Sequence, residues 1–341
     1  MKKVSLIIVN WNGRELLVEC LDSLNSQTFT DFSIIVVDNG SDDKSADFVE
    51  NNYSHVDVIR LPQNVGFCIA NNIAIRTVQS QYIALLNNDT IVDSRWLEYL
   101  VKALDSYPEA GFVASKMLFN DSRDVIDRAG DAYTHSGTGL LRGRGFNRNA
   151  FNKREWIFGA CAGAALYRIS MLNDIGLFDE DFFLLYEDVD LSFRAQLKGY
   201  KCLYVPEAIV YHKTSMTIRH DSSVSIYYGH RNLEWVYIQN MPSKLLLKTL
   251  FSHLIYIILS FSFFTCRGSL KEFIKAKRDA IRGFQKAINK RRLVQRNKRV
   301  DNQYIWEILE KEHFITRMTQ RLRSIQSSKI TSRSNEVKKN S

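Results

Sequence analysis

Glu187, Asp188 and Asp190 follow directly on the apolar run Phe182-Phe183-Leu184-Leu185-Tyr186. Carboxylates behind such a run are costly to bury unless they are paired or used. A carboxylate in that setting has its pKa raised and can serve as a general base. The same acids also suit the first turn of a helix, where the dipole favours negative charge. Leu191, Ala195 and Leu197 continue with helical periodicity, and Asp190 and Arg194 stand four apart as a structural pair. Base and helix opening are both open readings of the acids taken alone.

The elements that would position such a base are readable upstream. Apolar runs at residues 4–9, 33–37, 56–60 and 82–86 read as buried strands, with helical patterns between them. This alternation predicts an α/β fold: a mostly parallel central sheet with helices on both faces. Ligands of such sheets bind beyond the carboxyl ends of the strands. The loops there offer Asn10, Asp38, Asp42, Asn64 and Asp89. No G-x-G-x-x-G follows the first strand and no G-x-x-x-x-G-K-[ST] occurs, so dinucleotide and P-loop readings lack support. From about Phe112 the pattern loosens, and residues 127–130 and 140–145 read as a loop-rich insertion. Residues 156–167 are apolar and rich in small side chains, and residues 201–205 and 208–212 read as two short strands.

Taken together, residues 5–13, 36–42, 64–72, 84–90, 183–194 and 210–212 resemble the inverting family 2 glycosyltransferases of the GT-A fold, closest to a rhamnosyltransferase-like branch. The resemblance covers roughly residues 1–242. It implies transfer of a sugar, rhamnose-like or another hexose, from a nucleotide-diphosphate donor to an acceptor hydroxyl with Mg²⁺ or Mn²⁺. Asp38 matches the residue that accepts a hydrogen bond from the nucleobase, which suits a UDP or dTDP donor. Asn10, Asp42, Asn64, Gly66, Asn71 and Asn88 fall where the family lines the donor. Asp42 and Asn71 have structural alternatives as a turn residue and a helix residue.

Asn87-Asn88-Asp89 occupies the place of the family's D-x-D motif, leaving Asp89 as its one carboxylate. His212 matches a histidine that completes the metal site in relatives, and imidazole suits Mn²⁺ better than Mg²⁺. The glycine-rich sequel is absent, and Lys213 or Arg219 is an alternative phosphate contact. Asp188 matches the catalytic base, with Glu187 orienting it or the acceptor. Trp156, Gly159, Ala160 and Cys161 are candidates for the acceptor pocket, with ordinary packing as the alternative.

The net charge is +9, and residues 267–300 hold thirteen Lys and Arg against Glu272 and Asp279. Such local basicity points to an anionic surface. No stacking-aromatic or RNA-module signature accompanies it, so nucleic acid is not expected. Residues 245–266 are apolar, but Lys248, Thr249, Ser252, His253, Tyr256 and Ser260 share one helical face. This predicts a helix lying in the membrane interface rather than spanning it. The positive-inside rule also favours one side for both flanks. A soluble core helix with a solvated basic face is the alternative.

The expected organisation is a catalytic domain at 1–240, a membrane-associating helical region at 241–300, and a tail at 301–341 that is helical and then disordered. The five cysteines are widely spaced, without C-x-x-C, and suggest neither a disulfide framework nor a zinc site. The short apolar run at residues 4–9 does not suit a signal peptide. The expectation is a peripheral or monotopic enzyme on the cytoplasmic face of a bacterial inner membrane, extending a lipid-linked glycan. A catalytically inactive nucleotide-sugar-binding or scaffold protein is the rival reading.

Overall fold

The computed structural model describes residues 2–214 and 222–311. Arg219 and the Ser/Lys-rich tail lie outside the described residues. The first part alternates β1 (Val4–Asn10), α1 (Arg14–Leu24), β2 (Phe32–Asp38), α2 (Ser45–Asn52), β3 (Val56–Arg60), α3 (Phe67–Thr77) and β4 (Tyr82–Asn87). Next come β5 (Thr90–Val92), α4 (Trp96–Ser106), β6 (Ala110–Phe119), β7 (Ser122–Ala129), β8 (Asp131–Tyr133), β9 (Gly139–Leu141), β10 (Glu155–Ile157) and β11 (Ala164–Arg168). They are followed by α5 (Ile169–Ile175), a 3-10 turn (Glu180–Phe182), α6 (Glu187–Leu197) and β12 (Lys201–His212). The remaining helices are α7 (Ser223–Asn240), α8 (Ser243–Cys266), α9 (Leu270–Arg282), α10 (Phe284–Arg296) and α11 (Asn302–Ile308).

One sheet carries the order β10-β12-β6-β11-β4-β1-β2-β3, with β5 added to β12 and β7 to β6. β3, β2, β1 and β4 are parallel, as are β6 and β12, and β11 runs antiparallel between β4 and β6. Alternate residues of each central strand serve opposite cores. Leu6, Ile8, Val36 and Leu86 pack with Leu17, Leu21 and Trp96 of α1 and α4. Ile7, Val37, Ile83 and Leu85 pack with Cys68, Ala74 and Leu191 of α3 and α6. Burial on both faces is why these strands read as unbroken apolar runs.

The second half departs from the sequence reading in two places. Residues 201–205 and 208–212 belong to one long strand, β12, whose register slips between Val205 and Ile209. Pro206 lies in that slip, where a missing amide donor is tolerated. The expected loop-rich insertion is built of strands: β7 pairs antiparallel with β6, and β8 with β9. β7 contains Ser122, Arg123, Asp124, Asp127 and Arg128, so its polarity hid it from a hydrophobicity pattern.

The C-terminal helices pack back onto this body. His253 of α8 is buried, bonding the Ser136 carbonyl at 2.7 Å and Glu234 at 2.9 Å, while Thr249 Oγ1 lies 2.9 Å from the Tyr237 hydroxyl. Lys277 of α9 completes the buried cluster around Glu234. Thr249, His253 and Ser260 of the polar face therefore point into the protein, Lys248 and Ser252 stay exposed, and Leu247, Phe251, Leu254, Ile258 and Phe261 point out, with Phe251 75% exposed.

Candidate functional site

The ends of β1, β2 and β4 form a hydrogen-bonded corner. Asn10 is fully buried; its amide donates to Ser45 Oγ at 2.9 Å, and Ser45 donates to Asp38 Oδ1 at 3.3 Å. Asn88 donates to Asn10 Oδ1 at 2.7 Å, tying in the loop after β4. Asn64 Oδ1 accepts from the Gly66 amide at 2.9 Å and from Asn39 at 3.0 Å. Asp42 is exposed, and its amide donates to Asn12 Oδ1 at 2.8 Å. Asp43, absent from the expected set, fixes this loop: it accepts from the amides of Arg14 at 2.9 Å and Ser45 at 3.0 Å. Asn71 turns inward and donates to the Phe67 carbonyl of its own helix at 2.9 Å.

A second corner forms where β5 pairs with β12 and sets His212 opposite Thr90. Asp89 is buried there. Its Oδ1 lacks a hydrogen-bond partner among the described residues and stands 3.4 Å from His212 Nε2. His212 Nδ1 lies 2.8 Å from Asp127 Oδ2, and Arg144 donates to Asp127 Oδ1 at 2.6 Å. Burial opposes charge on His212, but Asp127 and Asp89 outweigh it and lift the imidazole to about 9. Burial would likewise raise Asp127, yet Arg144 and His212 hold it well below the usual carboxylate range. Lys213 is engaged with Glu19 at 2.5 Å.

No group of three or more His, Cys, Asp and Glu among the described residues is placed to hold a cation alone. A cation bridging a diphosphate takes one or two protein ligands and completes its shell with phosphate oxygens and water. Two ligands of such an ion, each about 2.1 Å from it, stand about 3 Å apart. The Asp89 oxygen facing His212 Nε2 at 3.4 Å fits that requirement once an ion replaces the Nε2 proton, and Asp127 orients the imidazole from behind.

The acidic run forms a third corner, and both readings of it hold in part. Glu187, Asp188 and Asp190 occupy the first turn of α6. Asp190 pairs with Arg194 at 2.8 Å and accepts from Asn240 at 2.7 Å, a structural role. Asp188 accepts from the Val189 amide at 2.8 Å and lies 3.8 Å from Arg128, which also pairs with Asp131 at 3.2 Å. Burial raises the Asp188 carboxyl against the pull of Arg128. Burial and then Asp188 raise Glu187, whose Oε2 lacks a hydrogen-bond partner among the described residues.

The loop leading into α6 is strained. Phe183, Leu185 and Tyr186 have φ of 64°, 65° and 71°, unusual for side chains of this bulk. Asn232 of α7 holds it, donating to the carbonyls of Phe182 at 3.0 Å, Leu184 at 2.9 Å and Leu185 at 2.7 Å. Arg231 adds bonds to the carbonyls of Asp181 and Phe182 at 2.8 and 3.0 Å. From the other side the Phe67 amide donates to the Phe183 carbonyl at 2.7 Å. Gly66, at φ 87°, permits that approach; a Cβ there would stand 2.5 Å from the Phe183 ring.

Asp127 and Arg128 were missed in the sequence, and they join the second corner to the third. β7 pairs Arg128 with Met117 but Ile126 with Leu118, so Asp127 is the extra residue of a β-bulge. A bulge re-aims side chains next to functional sites. Here it serves His212 through Asp127 and Asp188 through Arg128. The single available signal was an Asp-Arg pair inside an otherwise ordinary polar stretch.

The acceptor candidates divide. Gly159 exchanges backbone bonds with Asp131, and a Cβ there would stand 2.6 Å from Ser192 Oγ of α6. Ala160 is buried, and burial raises the Cys161 thiol, beside Arg128 and Asp188. Trp156 stands apart on the sheet edge, 38% exposed, with its ring 5.8 Å from Tyr107.

The sequence family described as Glycosyl transferase family 2 matches residues 5–176. A poly-beta-1,6-N-acetyl-D-glucosamine synthase of Staphylococcus epidermidis is 23% identical over 217 residues, 63% of this chain and 51% of the relative. A synthase of the same name from Staphylococcus aureus strain COL is 23% identical over 214 residues, 61% of this chain and 49% of the relative. The chain thus spans about half the length of the curated relatives it matches. Among solved structures, S. aureus TarS 1-349 in complex with UDP aligns at TM-score 0.52 and 19% identity, covering 86% of this chain and 90% of that one. GalNAc-T7 with UDP, GalNAc and Mn²⁺ aligns at TM-score 0.56 and 18% identity, covering 74% and 54%. These structural likenesses reflect a common GT-A fold.

Proposed function

The chain belongs to glycosyl transferase family 2, and on that premise we propose that it is an inverting transferase on a membrane surface. It moves a hexose, rhamnose or another, from a UDP- or dTDP-linked donor to a hydroxyl of a lipid-linked glycan during cell-surface polysaccharide synthesis. The observation that carries this reading is the bulge at Asp127 and Arg128, which couples a two-ligand cation corner to the largely buried Asp188 carboxylate. A nucleotide-binding scaffold has no need of that coupling.

Each corner then has one role. Asp38 accepts from the nucleobase, while Asn10, Ser45 and Asn88 keep it aimed. Asn64, Gly66 and Asp42 line the rest of the donor site. Asp89 and His212 would hold Mg²⁺ or Mn²⁺, which when bound neutralises charge on the departing diphosphate. Asp188 takes the proton of the acceptor hydroxyl as that oxygen attacks the anomeric carbon; displacement from the opposite face inverts the configuration. Glu187 and the segment Gly159, Ala160 and Cys161 shape the acceptor side. A nucleotide-sugar panel tests this reading by thermal shift with and without Mn²⁺. Metal-dependent stabilisation by one pyrimidine nucleotide sugar is expected; indifference to the whole panel contradicts it.

The membrane part of the reading rests on the inverted amphipathicity of α8. Its buried bonds to Ser136, Glu234 and Tyr237 favour an in-plane helix, because a span would have to abandon them. The expected role of the basic stretch needs revision. Lys277, Lys286, Lys290 and Arg299 pair with Glu234, Asp181, Asp179 and Asp174, and Arg291 bonds backbone carbonyls. Arg278 and Arg282 share Asp279 on the surface, and Lys271, Lys275, Arg292 and Arg296 remain exposed beside Ile274, Ile281 and Leu293 and suit anionic headgroups. Replacing Leu247, Phe251 and Ile258 by Ser should abolish sedimentation with anionic liposomes; unchanged sedimentation contradicts the in-plane placement.

A further inference from the structure

A cavity of about 350 Å³ lies between the sheet edge and α11, with Asp131, Arg142, Glu155, Trp156, Tyr304 and Glu307 in its lining. Of the corners above only the third reaches it, through Asp131, and its volume falls in the range of ligand sites. We propose that it is a remote acceptor subsite, holding a neutral or amino-sugar unit of the acceptor chain some distance from the hydroxyl being glycosylated. This rests on the transferase reading and adds to it a place and a chemistry for the acceptor.

Position is the first argument. Asp131 belongs both to this wall and to the catalytic cluster, where Arg128 joins it to Asp188. Gln196 ties the opposite wall to the same helix: it donates to the carbonyls of Ile157 at 3.1 Å and Phe158 at 2.8 Å, and accepts from the Tyr304 hydroxyl at 2.5 Å. Gln196 lies two turns beyond Asp188 on α6, about 12 Å along the axis at about 1.5 Å per residue. That separation suits an oligosaccharide with one end at the base, not a single sugar.

Chemistry is the second. Asp131 is paired with Arg128 at 3.2 Å and Arg142 with Glu155 at 2.6 Å, so Glu307 and Glu310 set the charge of the lining. An anionic ligand such as a nucleotide, a phosphate or a uronic acid would meet net repulsion there. Polyhydroxylated neutral ligands donate to carboxylates and lay their C–H faces on aromatic rings; Tyr304 supplies one ring and Trp156 a second, with the Lys201 ammonium 5.2 Å from the Trp156 centroid. α11 is held firmly against this wall, since Trp306 stacks on His135 at 3.8 Å and the Glu310 amide donates to the Tyr133 carbonyl at 2.9 Å.

The test is an array of neutral, amino-sugar and uronic-acid oligosaccharides, from disaccharides to hexasaccharides, probed with the full chain and with Trp156→Ala and Glu307→Lys variants. Both substituted positions are exposed, and thermal melts confirm folding. Binding of neutral or amino-sugar oligomers is expected, with about five- to tenfold weaker affinity in Trp156→Ala. No binding anywhere on the array, a preference for uronic-acid chains, or a profile that both variants leave unchanged would each overturn the subsite. UDP binding to the unsubstituted chain, measured alongside, reports on the transferase reading separately.

Discussion

The corner around Asp38 and the corner around Asp188 are built on opposite plans. At Asp38 every element is local to a strand end, and Asn10, Ser45 and Asn88 satisfy one another in a short relay of neutral hydrogen bonds. At Asp188 the carboxylate is largely buried between buried Glu187 and Asp190, Glu187 keeps an oxygen without a hydrogen-bond partner among the described residues, and the preceding backbone is strained. Distant elements hold that loop: Asn232 and Arg231 from α7 and the Phe67 amide of α3 bond its carbonyls, and Arg128 from β7 faces the Asp188 carboxylate. Binding a nucleotide requires a preformed cradle, whereas moving a proton requires a carboxylate kept from its ordinary pKa. Under the proposed reading, one sheet supports both.

Substitutions that separate the corners give the largest effects first. Asp188→Asn should lower the transfer rate by about 10²- to 10⁴-fold, read in a sugar-transfer assay. Asp127→Asn should weaken Mn²⁺ binding, measured calorimetrically with UDP present, by about 10- to 100-fold, because His212 loses its orienting carboxylate. Asn232→Ala takes the side-chain donor from the Leu184 and Leu185 carbonyls, while Phe182 keeps its bond from Arg231, at a cost of about 1–3 kcal/mol. Its transfer rate should fall about tenfold while UDP affinity holds; equal losses in both would dissolve the contrast between the corners.

The smallest effect is on the pH dependence of stability. Burial raises the Glu187 carboxyl, so the folded state holds its proton after the unfolded chain has lost it. Its contribution is fully present below the ordinary Glu value of about 4.3 and is lost as pH rises through the raised value. Glu187→Gln should therefore flatten the decline of melting temperature from pH 5 towards neutrality and above. An unchanged slope would mean that Glu187 is ionised in the folded chain throughout.

The legibility of the two corners in the sequence follows from the same physics. The strands that end in Asn10 and Asp38 and that lead to Asp89 are buried on both faces, so their apolar runs and polar endings marked both fold and loops. The acids 187–190 were visible, because three carboxylates behind an apolar run have few structural explanations. What holds them was not. Asp127 sits in a bulge of a polar strand, Asp131 in a three-residue strand, and Asn232 on a helix without a motif. Each acts through long-range pairing, which leaves no local periodicity. The polar stripe of α8 was legible, but which way it faces depended on Ser136 and Glu234, far away in sequence.

The central claim is that nucleotide binding and proton removal are separately housed. UDP affinity and transfer rate of Asp188→Asn, measured by calorimetry and turnover on one preparation with Mn²⁺, test it most directly. The account predicts UDP affinity within about twofold of the unsubstituted chain beside a transfer rate lower by about 10²-fold or more. Near-normal transfer, or a loss of UDP affinity as large as the loss of rate, would contradict it.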